Sequence, residues 1–313
     1  MKVLITDKVH SSLPSQLRKM GWKVDYNTSI SLSEVHECIH QYDGIIINSK
    51  IKMDHLLIEK GEKLTFVARL GSGMEIVDIP YARSKGIRVI NAPEGNANAV
   101  AEHTMGMLLM LANQLSKGNE EVKNFHWDRE GNRGFELKGK TIGIIGVGHT
   151  GTALASKFVN WGVNVLGYDK YKLDYGSACH VHETDLETIF SQSDIISFHL
   201  PLTDEVIHMC NQEFLNNCKD GVIIINTSRG KVIHTEALID SLNSGKVAGA
   251  CLDVFENEKP TTYTDSEKEM YESLFSFSNV LTTPHVAGWT HESLKGIADL
   301  VLQRIKDGYT MEA

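Results

Sequence analysis

Three side chains suited to moving a proton beside an anion follow apolar runs in the second half of this 313-residue sequence. Arg229 comes after GVIIINTS, Glu258 after AGACLDVFEN and His285 after NVLTTP. Histidine titrates nearest neutral pH and is the commonest side chain in general acid and base catalysis. A glutamate beside it fixes its tautomer and favours its protonated form. Arginine presents a planar fork to a carboxylate or a polarised carbonyl. Any one of the 14 histidines, taken alone, is an ordinary loop residue. What singles these three residues out is their order along one expected sheet edge.

A cofactor site accompanies them. GIIGVGHTG places Gly146, Gly148 and Gly151 between an apolar run, TIGIIGV, and a helical stretch, TALASKFVNWG. In that setting the glycines provide a tight turn, close approach of backbone to a pyrophosphate, and a helix N-terminus facing the phosphates. Asp169 stands eighteen residues past Gly151, at the end of VNVLGYD. A carboxylate there accepts from ribose hydroxyls and repels a 2′-phosphate, so NAD is expected in preference to NADP. Lys170 is the main opposing charge. Beside a nicotinamide, the three residues suit reduction of a 2-oxo acid. Arg229 would orient the substrate, hydride would arrive from the cofactor, and His285 would protonate the forming alkoxide. Glu258 would hold His285 charged.

The elements that must position these groups alternate along the chain. VLIT, KVDYN, GIIIN, TFVARL and RVINA read as strands with helical stretches between them, which means a parallel sheet with right-handed crossovers. After Asn91-Ala92-Pro93 the rhythm breaks, and residues 97–126 carry apolar residues at helical spacing. A second series follows: TIGIIGV, VNVLGYD, DIISFHL, GVIIINT, AGACLDV and NVLTTP. Their nearly continuous apolar character fits strands covered on both faces. The expectation is an α/β protein of two doubly wound parallel-sheet domains, an NAD-binding Rossmann domain inserted into a flavodoxin-like substrate domain. Residues 1–93 and 286–313 would form the substrate domain and residues 94–285 the NAD-binding domain. A helix over 289–313 would return to the first domain. The candidate residues then fall at strand C-termini, where open α/β sheets place their ligands.

Composition narrows the alternatives. A net charge of −9 argues against nucleic-acid partners. No apolar run approaches the ~20 residues of a membrane span. The opening MKVLITDKVH reads as a strand and not as a signal peptide. Cysteines at 38, 179, 210, 218 and 251 form no metal-ligand pattern, so no metal is expected, and thiols in a reducing cytoplasm are.

GVGHTG…YD, HLPLT, INTSRG, LDVFENE and TPHVAGWT together resemble the motif series of the D-isomer-specific 2-hydroxyacid dehydrogenases, most of all the phosphoglycerate dehydrogenase branch. RLGSGMEIVDI and NAPEGNANAVAEH resemble that family's substrate loop and interdomain helix, so the likeness covers nearly the whole chain. It implies that Arg229, Glu258 and His285 are the catalytic set. It assigns His149 and Thr150 to the pyrophosphate, Asp169 to the ribose, and Leu200, Pro201 and Thr203 to the adenine side. Thr227, Ser228, Asp253 and Gly288 would lie at the nicotinamide end, with Asp253 accepting from the carboxamide. Backbone around Ser72, Gly73 and Met74 would meet the substrate carboxylate. Lys50, Lys52, Arg69 and Arg133 are candidates for a substrate phosphate. Residues 97–126 with HWDREGNRGFELKGK resemble the family's dimerisation arm, which implies a homodimer.

The implied substrate is 3-phosphoglycerate, on a route to serine. Glyoxylate or hydroxypyruvate reduction and D-lactate dehydrogenation share the catalytic residues, and a silent NAD-sensing protein is the reading from another class. Formate dehydrogenase is disfavoured, because glutamine is expected there in place of Glu258. Two departures stand out: Glu75-Ile76 where Asp-Asn is usual, and Asn48 where phosphoglycerate enzymes often carry arginine. With the sequence ending at residue 313, the appended regulatory domain of some members is not expected.

Overall fold

The computed structural model describes residues 1–176 and 180–311, so Cys179 lies outside the described residues. It divides into two compact units, Met1–Ala97 with Trp289–Ala313, and Asn98–Gly288. In the first unit β1 (Lys2–Ile5), β2 (Lys23–Tyr26), β3 (Gly44–Ile47), β4 (Phe66–Arg69) and β5 (Arg88–Ile90) form a parallel sheet ordered β2-β1-β3-β4-β5. That is the flavodoxin-like order. The second unit holds β6 (Thr141–Ile145), β7 (Asn164–Tyr168), β8 (His182–Glu183), β9 (Ile195–Phe198), β10 (Val222–Asn226), β11 (Val247–Leu252) and β12 (Val280–Thr282). Its order, β12-β11-β10-β9-β6-β7-β8, is the Rossmann order with one strand added at an edge. The expected α/β architecture, one doubly wound unit inserted into another, is the one observed.

Both sheets are buried on two faces because neighbouring residues of a strand point to opposite sides. In β10, Val222 and Ile224 enter one core while Ile223 and Ile225 enter the other. In β3, Ile45 and Ile47 pack on one side and Ile46 on the other. The apolar runs of β3 and β10 are thereby two-sided strands.

Three details differ from the sequence reading. The boundaries at 93 and 285 read from the sequence fall later, after Ala97 and Gly288. Arg304 on the His291–Lys306 helix bonds the Asn91 carbonyl and the Glu94 carboxylate, at 2.6 and 2.7 Å, which ties that stretch to the first unit. The Asp253 carboxylate holds the amides of Val286 and Ala287 within the second. The long helical run is two helices, Ala97–Ala112 and Leu115–Lys123, broken at Gln114, whose φ of 52° is left-handed. Strand β8 was not read from the sequence, since its two exposed polar residues carry no apolar signal.

Candidate active site

The site is built from loops at the C-terminal ends of β10, β11 and β12. Asn226, the last residue of β10, is buried and folds the next turn around itself. Its side-chain carbonyl accepts from the Ser228 amide and hydroxyl, at 3.0 and 2.8 Å, and its amide donates to the Arg229 carbonyl at 2.9 Å. A Cβ on Gly230 would stand 1.9 Å from the Phe255 carbonyl oxygen, so only glycine lets the turn after β10 lie against the loop after β11.

That second loop begins with Asp253, whose side chain is wholly buried. One carboxylate oxygen accepts from the Thr283 hydroxyl (2.5 Å) and the Val286 amide (2.9 Å), the other from the Ala287 amide (2.8 Å). His103 reaches the same Thr283 hydroxyl at 3.0 Å. A buried carboxylate needs such partners. Here they also fix the turn bearing His285, whose φ of 56° is left-handed and costs a residue with a Cβ about 1–3 kcal/mol.

On this turn His285 Nδ1 meets Glu258 Oε2 at 2.7 Å. The Glu258 bond raises the His285 pKa above the ordinary histidine value, against burial and the charge of Arg229, which lower it. Burial pushes Glu258 up, but the bond and charge of His285, the Phe255 amide and Arg229 outweigh it, and its pKa falls. Each partner thus favours the charged form of the other, and Arg229 is near enough to act on both. Because Glu258 takes Nδ1, Nε2 is the ring nitrogen outside this bond.

Two residues earlier, Glu256 makes a second carboxylate–histidine pair. It accepts from His208 Nε2 at 2.6 Å and from the Thr235 amide and hydroxyl at 2.9 and 2.7 Å. The neighbouring Asn257 amide donates to the Tyr271 hydroxyl at 2.9 Å. The loop carrying Glu258 is thus pinned on either side.

Around β6 the glycines divide the work. Gly146 is left-handed (φ 92°), and a Cβ there would stand 2.4 Å from the His199 carbonyl oxygen. A Cβ on Gly151 would meet the Gly146 carbonyl oxygen at 2.1 Å, while one on Gly148 would meet nothing within 4 Å. The first and third glycines allow close packing, and the second leaves open space at the N-terminus of the His149–Lys157 helix. That helix has Gly148 at its N-cap and no side-chain cap, and a helix N-terminus is where an anion is favoured. These features fit the pyrophosphate of a dinucleotide.

Residues 105–287 match the model of the D-isomer specific 2-hydroxyacid dehydrogenase, NAD binding domain. The chain belongs to the D-isomer-specific 2-hydroxyacid dehydrogenases. It is 33% identical over 306 residues to D-3-phosphoglycerate dehydrogenase of Archaeoglobus fulgidus, covering 97% of this chain and 56% of that one. It is 37% identical over 272 residues to hydroxypyruvate reductase of Thermotoga maritima, covering 87% and 86%. The chain thus spans about half the length of the phosphoglycerate dehydrogenases it matches. The fold superposes on D-lactate dehydrogenase from Aquifex aeolicus, complexed with NAD and lactic acid, with a TM-score of 0.84 at 28% identity over 98% of this chain and 95% of that one.

The cofactor of this NAD-binding domain is NAD, and the remaining candidate residues distribute as follows. His149 and Thr150 open the glycine-loop helix. Leu200 lies against Gly146, and exposed Pro201 and Thr203 follow it. Thr227 is buried with its hydroxyl on Thr104 at 2.9 Å, and Gly288 ends the second unit. In the first unit, Ser72, Gly73 and Met74 follow β4, with the Arg69 guanidinium packed against Gly71. Lys50 donates to the Thr28 carbonyl at 2.9 Å, and Arg133 pairs with Glu130 at 2.6 Å. Arg69 Nε donates to the Asn48 carbonyl at 3.3 Å, so three of the four cations read as phosphate candidates have protein partners. Glu121, His126 and Asp128 bring ligand atoms within 4.8 Å of one another, but Lys117 already sits beside Glu121. Sequence reasoning missed Asn226, His103 and Thr283. Their role is to hold Arg229 and His285, and only Asn226, polar at the end of an apolar run, carried a signal.

Proposed function

We propose that the protein interconverts a 2-oxo acid and its D-2-hydroxy acid with NAD, and that its substrate pair is 3-phosphohydroxypyruvate and 3-phosphoglycerate, a step toward serine. The observation that carries the reaction class is the 2.7 Å bond between Glu258 and His285 beside Arg229. Bound NAD supplies or accepts the hydride. Arg229 orients the substrate carboxylate. His285 Nε2 gives its proton to the substrate oxygen in reduction and takes it back in oxidation. Glu258 stabilises the imidazolium in both directions.

The names of the phosphoglycerate dehydrogenases at 33–34% identity support the phosphorylated substrate. Hydroxypyruvate reduction is the second reading, favoured by the relative that matches most of both chains and by Lys50 bonding to a carbonyl. NADH oxidation with the two acids at equal concentration separates them. The first reading expects the phosphorylated acid to be preferred by at least about tenfold, the ~1.4 kcal/mol of one useful charged contact. Equal rates would hand the assignment to hydroxypyruvate. Silence with both, and with glyoxylate and pyruvate, would refute the reaction class.

The reading includes a homodimer, supported by apolar side chains displayed on 115–127: Phe125 is 89% and Trp127 69% exposed, with Leu115 and Val122 also bare. A monomeric mass by sedimentation at micromolar concentration would refute it. A reducing cytoplasm is supported by the free thiols of Cys38, Cys210, Cys218 and Cys251. No helix among the described residues is long and apolar enough to cross a membrane.

A further inference from the structure

The strand-end carboxylate expected at the adenosine ribose already carries three hydrogen bonds. Asp169 accepts from the Val147 amide at 2.9 Å and from the Tyr171 and Lys172 amides at 3.0 Å each. These bonds draw residues 170–172 around the glycine turn, and with them two ammonium groups. Lys172 Nζ donates to the Val147 carbonyl at 3.4 Å. Lys170 lies on one oxygen of Glu205, and the Tyr171 hydroxyl lies on the other. One carboxylate fork therefore fastens both residues that follow Asp169.

Glu205 is well placed to do so. It sits on the Asp204–Val206 turn, whose next residue, Val206, is buried in the core beneath β9. Asp169, Glu205, Lys170 and Lys172 together sum to no net charge. Without Glu205 the same group would carry one positive charge beside the ribose position. A free ammonium there is what a 2′-phosphate would seek, since phosphate is bound by cations in charge-assisted hydrogen bonds.

We propose that Glu205 is a specificity-determining residue: by holding Lys170 it denies a 2′-phosphate its cation, and so keeps the site selective for NAD over its 2′-phosphorylated form. The usual explanation of such selectivity is the strand-end carboxylate alone. Here that carboxylate is largely committed to backbone amides, and the selectivity is shared with a residue 35 positions away on another loop. Glu205 lowers no barrier itself and acts through Lys170. Both groups are charged at neutral pH, the Lys170 pKa being raised chiefly by Glu205 and the Glu205 pKa lowered chiefly by Lys170. The pair is exposed, so its effect on an incoming phosphate is screened by salt.

The inference rests on the dinucleotide site described above, and NADH binding by the unmodified protein tests that site separately. Dissociation constants for NADH and NADPH are measured by nicotinamide fluorescence for the unmodified protein, Glu205→Gln, and Glu205→Gln with Lys170→Ala. Glu205→Gln is expected to tighten NADPH about tenfold, the size of one charged contact, while NADH stays within about threefold. Adding Lys170→Ala should return NADPH to its original affinity. The gain should fade as salt rises from about 0.05 to about 0.5 M, where the screening length falls from above 10 Å to a few ångströms. An unchanged NADPH to NADH ratio in Glu205→Gln would overturn the proposal. So would a gain that survives Lys170→Ala, which would make Glu205 itself the repelling charge. Equal loss of both cofactors would show a purely structural residue.

Discussion

Glu256 and Glu258 stand two residues apart and each binds a histidine, yet the two pairs are built for different work. Both histidines have left-handed backbones, with φ of 52° at His208 and 56° at His285. The carboxylates differ in what else they hold. Glu256 takes two further bonds from Thr235 and is less exposed than Glu258, 24% against 38%. Glu258 takes one longer bond, 3.3 Å, from the Phe255 amide and shares the field of Arg229. A carboxylate whose lone pairs are committed to a helix start is a strut. One that leaves its histidine's second nitrogen to a substrate can manage a proton. On the proposed function, identical chemistry is sorted into structure and catalysis by the neighbours of the carboxylate.

The sharpest way to break this comparison is to remove one histidine from the active pair. His285→Gln should lower kcat by about 10²–10⁴, the worth of a general acid, and leave the NADH dissociation constant within a few-fold. Near-normal turnover would return His285 to the status of His208. A smaller effect is expected from Glu258→Gln, which removes the main cause of the raised His285 pKa. The rate of reduction needs protonated His285, so its alkaline limb should move to lower pH. An unmoved limb in the pH–rate profile would mean that Glu258 does not tune the acid.

Glu256→Gln should do the reverse: lower stability by about 1 kcal/mol, as one net hydrogen bond is worth, and leave the midpoint of that limb in place. Urea titration and a pH–rate profile on the same sample separate the two roles, and a shifted midpoint with intact stability would merge them. The smallest effect is on stability against pH. His285, with its pKa raised, stabilises the fold fully below its ordinary 6.5 and loses that contribution as pH rises through the higher folded value. Glu258, with its pKa lowered, contributes above its ordinary 4.5 and loses that contribution as pH falls through the lower folded value. The melting-temperature gap between the protein and Glu258→Gln should thus be widest between 4.5 and 6.5. Exposure keeps the corresponding stability difference below about 1 kcal/mol. A gap that widens toward alkaline pH would contradict the assignment of charges.

The sequence exposed one of these pairs and hid the other. Glu258 and His285 each follow an apolar run, so their convergence could be argued from the rule that ligands gather at strand C-termini. His208 and Glu256 are 48 residues apart, and nothing in their spacing signals contact. Asp253 was readable as a strand-end residue, but its bonds to Thr283, Val286 and Ala287 depend on how two loops fold back, which periodicity does not report. The same limit applies to Lys50, legible as a cation near a strand end though its carbonyl partner was not. Strands were readable because burial on both faces demands unbroken apolar runs. The kink at Gln114 was not, since neither glycine nor proline marks it.

The first unit is assembled from two stretches that lie far apart in the chain. Val3, Ile5, Leu13 and Leu17 share a core with Ala298, Val301, Leu302 and Ile305 of the last helix. During synthesis the early stretch leaves the ribosome with that apolar face bare, and it stays bare while all of Asn98–Gly288 is made. At about 5–20 residues per second this wait lasts many seconds, long enough for a chaperone to engage the nascent chain. The inserted unit, continuous in sequence, has all of its residues in hand first, and the unit whose two stretches flank it in the chain closes last.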